Sequence, residues 1–236
     1  MSLVLENVGV RYGGVNALAG VSLSVPPAGI VGLIGPNGAG KTTLLNAITG
    51  VVRPNAGTIA LDATRLDRLP MHRVARAGIA RTYQNIRLFG ALPVGDNVRA
   101  GAFGRAGLLS DDEVRALLAQ ALVQTGDLRR RADSLAYGEQ RRLEIARALA
   151  ARPQILLLDE PAAGMNPRES AELRALIREI ARSGTGVLLV EHDMSLVTAV
   201  CDHVVVLNFG EVIAEGTSAA VLRDPAVIEA YLGSSA

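Results

Sequence analysis

An α/β fold interrupted by a helical insert is the fold class this sequence predicts, and three observations carry it. Apolar runs at residues 30–34, 155–158 and 187–190 are each followed by helical spacing, the alternation that builds a parallel sheet. The first run ends in Gly35-Pro36-Asn37-Gly38-Ala39-Gly40-Lys41-Thr42-Thr43, which fits the phosphate-binding pattern G-x-x-x-x-G-K-[ST]. Residues 86–150, by contrast, hold helical patterns in succession without strands between them.

The opening segment reads as strands at 3–8, 10–12 and 21–25, punctuated by Gly13-Gly14 and Pro26-Pro27. Tyr12 stands just before the Gly-Gly turn, either as a base-stacking aromatic or as a half-buried strand tyrosine. In the phosphate-binding loop, glycines let the backbone curl so that N–H groups converge on phosphate oxygens. The helix expected over 42–49, stopping at Gly50, adds the positive end of its dipole. Lys41 is placed to reach the β- and γ-phosphates, and the Thr42 hydroxyl to bind Mg²⁺. Among the 24 Lys and Arg residues Lys41 is the only lysine. A compact ammonium fits between two phosphates where a planar guanidinium does not, so the position selects the residue.

Pro54-Asn55-Ala56-Gly57 turns into a strand at 58–61, a short helix near 71–76 ends at Gly78, and a strand at 79–83 stops at Gln84. A polar residue at the carboxyl end of a core strand lies on the ligand side of an α/β sheet. Gln84 is therefore a candidate for contact with Mg²⁺ or an attacking water, with a plain loop glutamine as the alternative. Leu92-Pro93-Val94 opens another short helix, and residues 101–107 read as a Gly-rich loop. Ser110 and Glu113 form a capping box ahead of an apolar stripe of Val114, Leu117, Leu118, Ala121 and Leu122. Leu135, Ala136, Tyr137, Gly138, Glu139 and Gln140 make a turn into a long helix over 138–151, whose N–H groups suit a phosphate. This turn lies beyond the helical insert from the chain's own phosphate loop, which points to a site completed by another subunit.

The strand–helix alternation then resumes. Asp159, ending the 155–158 strand, suits Mg²⁺ held through its water shell, and Glu160 can orient and deprotonate a water. Asn166, Pro167 and Glu169 open the next helix as N-cap, N1 and N3. The 187–190 strand ends in Glu191-His192-Asp193, placing His192 to bond the γ-phosphate and Glu160. A helix to about Cys201, a strand at 204–207, a turn at Asn208-Phe209-Gly210, a strand at 212–214 and two short helices complete the chain.

Bulk properties narrow the function classes. At net charge +1, nucleic acid is not the expected partner, and Arg129-Arg130-Arg131 reads as a solvated patch. A single cysteine, Cys201, excludes an internal disulfide and fits a reducing compartment. Met1 leads directly into Leu3-Val4-Leu5, so no signal peptide is expected. No apolar run approaches the ~18 residues that span a bilayer, so a membrane role would come through partners.

Taken together these motifs resemble the nucleotide-binding subunit of ABC transporters over essentially the whole chain. The phosphate loop, Gln84, residues 135–140, Asp159-Glu160, residues 163–166 and His192 stand in the order of that family's Walker A, Q-loop, signature, Walker B with catalytic glutamate, D-loop and switch histidine. The resemblance implies a P-loop NTPase fold with a mixed core sheet, an antiparallel β subdomain and a helical subdomain. As one ABC ATPase unit, the chain would divide at 1–84, 85–152, 153–215 and 216–236. It further implies ATP and Mg²⁺ as ligands, with Thr42, Gln84 and Asp159 at the metal and Tyr12 stacking on adenine. A second such subunit, copy or paralogue, would pair head to tail, closing each ATP site with residues 135–140. Transmembrane permeases would dock near residues 85–92, a solute-binding protein would act indirectly, and the subunit would sit peripherally on the cytoplasmic face of the inner membrane. One departure stands out: where the general signature reads Leu-Ser-Gly-Gly-Gln, Ala136 replaces the serine hydroxyl. Residues 81–89, the Ala136-Tyr137-Gly138 form of the signature and residues 158–167 look like the ATPases of branched-chain amino acid importers. Urea- and amide-type importers and lipopolysaccharide-export ATPases lie nearby, and a soluble ABC-type ATPase acting on DNA or ribosomes is the more distant alternative.

Overall fold

The structure is a computed structural model that describes residues 2–102 and 108–232. Among these residues the strands form two sheets. One is antiparallel, built from β1 (Leu3–Tyr12), β2 (Val15–Val25), β4 (Ala56–Leu61) and β5 (Thr64–Arg65) in the order β2-β1-β4-β5. The other places β10 (Glu211–Gly216), β9 (His203–Asn208), β3 (Ile30–Ile34), β8 (Gly186–Val190), β7 (Ile155–Asp159) and β6 (Ile79–Arg81) side by side in that order. β10 runs antiparallel to β9, and the other five strands are parallel, so their carboxyl ends share one edge. Helices α1 (Lys41–Ile48), α2 (Met71–Ala77), α6 (Pro167–Arg182) and α7 (Met194–Val200) connect strands of this frame. Helices α3 (Val94–Gly101), α4 (Asp111–Gln120) and α5 (Tyr137–Leu149) lie between β6 and β7, and α8 (Ser218–Val221) and α9 (Pro225–Leu232) follow β10.

β7 and β8 are buried at every position, and their alternation divides the core. Leu156, Leu158, Val187 and Leu189 join Leu173, Leu176, Ile177 and Ile180 of α6. Ile155, Leu157, Leu188 and Val190 join Leu3, Leu5, Leu44 and Ile48 from the first sheet and α1. Each fully buried aliphatic side chain contributes about 1.5–3 kcal/mol. The strand ends are thus anchored by core on both faces, which suits them to carry a site.

Both expected capping boxes form: Ser110 with Glu113 on α4, and Asn166 with Glu169 on α6. Gly101 closes α3 where any Cβ would stand 1.8 Å from the Arg147 carbonyl, so the close approach of α3 to α5 requires glycine. The rest of the expected loop at 103–107 lies outside the described residues.

Several boundaries differ from the sequence reading. The two strands expected at 3–8 and 10–12 are one strand, kinked by register shifts after Leu5 and by Asn7 at φ 50°. β2 begins at Val15 rather than at 21, because it pairs back to Tyr12 across the Gly13-Gly14 turn. β6 ends at Arg81, not Tyr83, although Thr82 still donates to the Leu157 carbonyl at 2.9 Å. Leu122 leaves the apolar stripe: it takes φ 57°, beyond the end of α4, and is 39% exposed.

Candidate active site

The carboxyl ends of β3, β7 and β8 meet in register, with Leu33 and Asp159 both opposite Val190. β3 continues into the phosphate loop. Gly35 takes φ 147° at a point where a Cβ would stand 2.0 Å from the Leu207 carbonyl oxygen. Gly40, at φ 108°, forms the N-cap of α1, and no side chain caps that helix, so its first-turn N–H groups face the loop's concavity. Asn37, Gly38, Ala39, Gly40, Lys41, Thr42 and Thr43 line a cavity of about 580 Å³ together with Gln84 and Glu160. Val15, Asn16, Ala17 and Phe209 form its remaining wall. Tyr12 ends β1, 49% exposed and paired with Val15, beside this wall rather than in it.

Lys41 is buried and folds back on its own loop, donating to the carbonyls of Gly35 at 2.6 Å and Pro36 at 3.0 Å. Burial holds its ammonium below the ordinary lysine range, while the charges of Glu160 and Asp159 work against that shift. A second cavity, about 400 Å³, is lined by Thr42, Asn46, Arg81, Gln84 and Asp159 among others.

Glu160 directly follows β7 in the left-handed region at φ 48°, an unusual conformation for a side chain of this kind. That turn aims its carboxylate at two neighbours. Gln84 Nε2 donates to Oε2 at 2.8 Å, and His192 Nε2 stands 2.7 Å from Oε1. Three residues far apart in the chain thus meet at one carboxylate, next to a lysine and a phosphate-shaped loop.

A family model described as ABC transporter matches residues 18–163, and one described as branched-chain amino acid ATP-binding cassette transporter matches residues 211–236. The chain belongs to the ATP-binding subunits of ABC transporters. The high-affinity branched-chain amino acid transport ATP-binding protein BraF of Pseudomonas aeruginosa is 43% identical, over 99% of this chain and 98% of its own. LivG of Escherichia coli, with the same description, is 42% identical over 99% and 98%. The lipopolysaccharide export system ATP-binding protein LptB of Escherichia coli is 39% identical over 98% and 97%. Among solved structures, the ADP conformation of the cassette MJ1267 superposes with TM-score 0.88 at 30% identity, covering 99% of both chains. A dimeric post-hydrolysis state of the cassette MJ0796, bound to ADP and Pi, gives 0.81 at 27% identity over 92% and 98%.

In this ABC ATPase, residues 135–140 line neither of the two cavities among the described residues. Leu135 is buried, α5 begins at Tyr137, and Gln140 Nε2 donates back to the Leu135 carbonyl at 2.9 Å. Ala136 sits at the N-cap without a side-chain oxygen, and Glu139 reaches its N–H at only 3.4 Å. The N-terminus of α5 is therefore weakly capped, with Gly138 of its first turn buried against the Glu169 carboxylate.

Sequence reasoning passed over three side chains that hold this ABC ATPase site together. Arg81 Nη2 donates to Asp159 Oδ2 at 2.8 Å and Nη1 to Asn46 Oδ1 at 2.7 Å. Buried Glu191 accepts from Ala162 N at 2.8 Å through one oxygen and from His192 N at 3.0 Å through the other, tying the turn after Glu160 to the histidine. Burial pushes its carboxyl up, and these N–H groups hold it back. Arg141, fully buried on α5, grips the backbone at Tyr83 and Gln84. The only sequence signal for Glu191 and Arg81 is a charged residue at the end of an apolar strand, and Arg141 carries none.

Proposed function

We infer that this chain is the ATP-hydrolysing subunit of an importer for branched-chain amino acids. The convergence of Gln84 and His192 on Glu160, beside the phosphate loop, supports the hydrolytic reading. ATP is read into the cavity of the phosphate loop, with its phosphates on the N–H groups of 38–43 and Lys41, and its adenine toward Tyr12. Glu160 takes a proton from the attacking water at Oε1 or Oε2, while Gln84 and His192 fix the direction of its lone pairs. Residues 135–140 of a second ATPase subunit close the site, and only tighter binding of ATP to the closed pair can drive that closure.

Mg²⁺ fits the residues present. Thr42, Gln84 and Asp159 line one cavity, and their side chains offer a hydroxyl, an amide oxygen and a carboxylate as hard oxygen donors. Among the described residues no cluster of three His, Cys, Asp or Glu side chains forms, which suits an ion held mainly by phosphate and water. When bound, Mg²⁺ would neutralise charge on the phosphate oxygens.

The amino-acid assignment is supported by the family match at 211–236 and by relatives at 42–43% identity, above the lipopolysaccharide-export relative at 39%. No helix among the described residues is long and apolar enough to cross a membrane, so transport needs permease partners. Residues 85–92 are the docking segment in this reading, on the cytoplasmic face of the inner membrane, with a solute-binding protein delivering the solute. The test is copurification of the permeases, followed by ATP-driven uptake of leucine, isoleucine and valine into vesicles. Uptake that ignores these amino acids removes the substrate assignment, and absence of ATP turnover removes the enzyme assignment.

A further inference from the structure

The guanidinium of Arg141 has no exposed surface. Nη1 donates to the Tyr83 carbonyl at 2.6 Å, and Nη2 to the Gln84 carbonyl at 2.7 Å. Nη2 also reaches the Tyr137 hydroxyl at 3.0 Å. Its one ionic partner, Glu144, lies 3.4 Å away and is equally buried. Arg147 stands 3.5 Å from the other Glu144 oxygen, so two guanidiniums share this carboxylate. That same carboxylate oxygen accepts from Arg87 N at 3.1 Å. The pair therefore holds residues 83, 84 and 87, on both sides of the turn that carries Gln84.

Tyr137 connects this clamp to a second place. Its ring covers Gly164, where an added Cβ would stand 3.1 Å from a ring carbon. Gly164 lies in the turn that follows Glu160, at φ 77°. Only a planar fork with several donors can serve two carbonyls and a phenol together, and a lysine ammonium at the end of a flexible stem cannot match that geometry. A guanidinium sealed from water also transmits displacement well, since leaving either carbonyl unmet there is costly.

We propose that Arg141 is a positioning residue that joins the two ATP half-sites carried by one subunit. It sets Gln84 beside this chain's own Glu160, and through Tyr137 it sets the turn at 135–140 that this chain offers to the other subunit. The inference rests on the roles read for Gln84 and residues 135–140 above. Displacement of the Gln84 backbone on nucleotide binding then moves the start of α5, and closure by the partner reports back along the same path.

The test is an epistasis experiment on the full chain. Tyr137→Phe keeps the ring over Gly164 and removes only the hydroxyl that meets Arg141. It is expected to lower kcat by about twofold to tenfold, the span for loss of one hydrogen bond, with KM unchanged. In a Gln84→Ala background the same substitution is expected to change kcat by less than about twofold, because the side chain being positioned is gone. Arg141→Lys, which keeps charge near Glu144, should show the same dependence. Without nucleotide, amide hydrogen exchange at residues 84–88 should quicken in Tyr137→Phe. Equal losses of kcat in both backgrounds, or unchanged exchange at 84–88, overturn the proposal. If Gln84→Ala alone leaves turnover intact, the role read for Gln84 falls instead, and the exchange measurement still decides whether Arg141 holds the turn.

Discussion

His192 Nε2 and Glu160 Oε1 stand 2.7 Å apart, although 32 residues separate them in the chain. The contact exists because β7 and β8 are parallel neighbours with Asp159 opposite Val190, so Glu160 directly follows β7 and His192 stands two residues past the end of β8. Gln84 holds the other oxygen of the same carboxylate at 2.8 Å. In the base role proposed for Glu160, a carboxylate with both oxygens directed would receive a proton from one line of approach.

Glu160→Gln is expected to retain ATP binding and lose about two to four orders of magnitude in kcat, with ATP-dependent dimers accumulating on size-exclusion chromatography. His192→Ala should be milder, about tenfold to hundredfold in kcat, the loss of one hydrogen bond to a charged group. Normal turnover in Glu160→Gln would remove it from the base role.

Lys41→Arg keeps the charge but should weaken ATP binding by on the order of tenfold or more. The ammonium lies within the loop, 2.6 Å from the Gly35 carbonyl, where a branched guanidinium has no room. Isothermal titration with ATP decides this, and equal affinity would defeat the steric argument.

Arg81 and Asp159 form a buried pair, with side chains 5% and 8% exposed. Arg81→Met leaves a buried carboxylate without its partner and should cost about 3–5 kcal/mol in urea unfolding. If Asp159 faces a divalent ion, millimolar Mg²⁺ with ATP restores part of that loss.

Phe89 is 53% exposed and Leu92 44%, whereas Leu88 packs against the helical core. Substituting Phe89 and Leu92 by serine is expected to abolish coupled uptake while ATPase activity of the isolated subunit persists. Collapse of ATPase activity would make this segment structural.

Burial pushes the Cys201 thiol up to about 12, with Asp202 and Glu191 adding to the shift. The native chain should therefore react slowly with a thiol reagent even at pH 9, and at normal speed once unfolded. The folded value exceeds the unfolded one of about 8.5. The cysteine's contribution is full below that pH and is lost as pH rises toward 12.

The one-dimensional pattern of this chain determines a great deal. Strand and helix types, both capping boxes, the phosphate loop and the polar residues at or just past strand ends, Gln84, Asp159, Glu160 and His192, are all legible, because spacing and residue type are local properties. Boundaries slip where long-range pairing intervenes, as when β2 extends back to Val15 to meet Tyr12. Only the tertiary structure decides which strand ends are neighbours, and it brings Gln84, as well as the His192 expected there, onto the Glu160 carboxylate. It alone reveals Arg81, Glu191 and Arg141, whose importance comes from burial beside carbonyls and carboxylates contributed by distant segments. In sequence these are ordinary charges, and in a water-free interior each must find its partner or the fold pays for it.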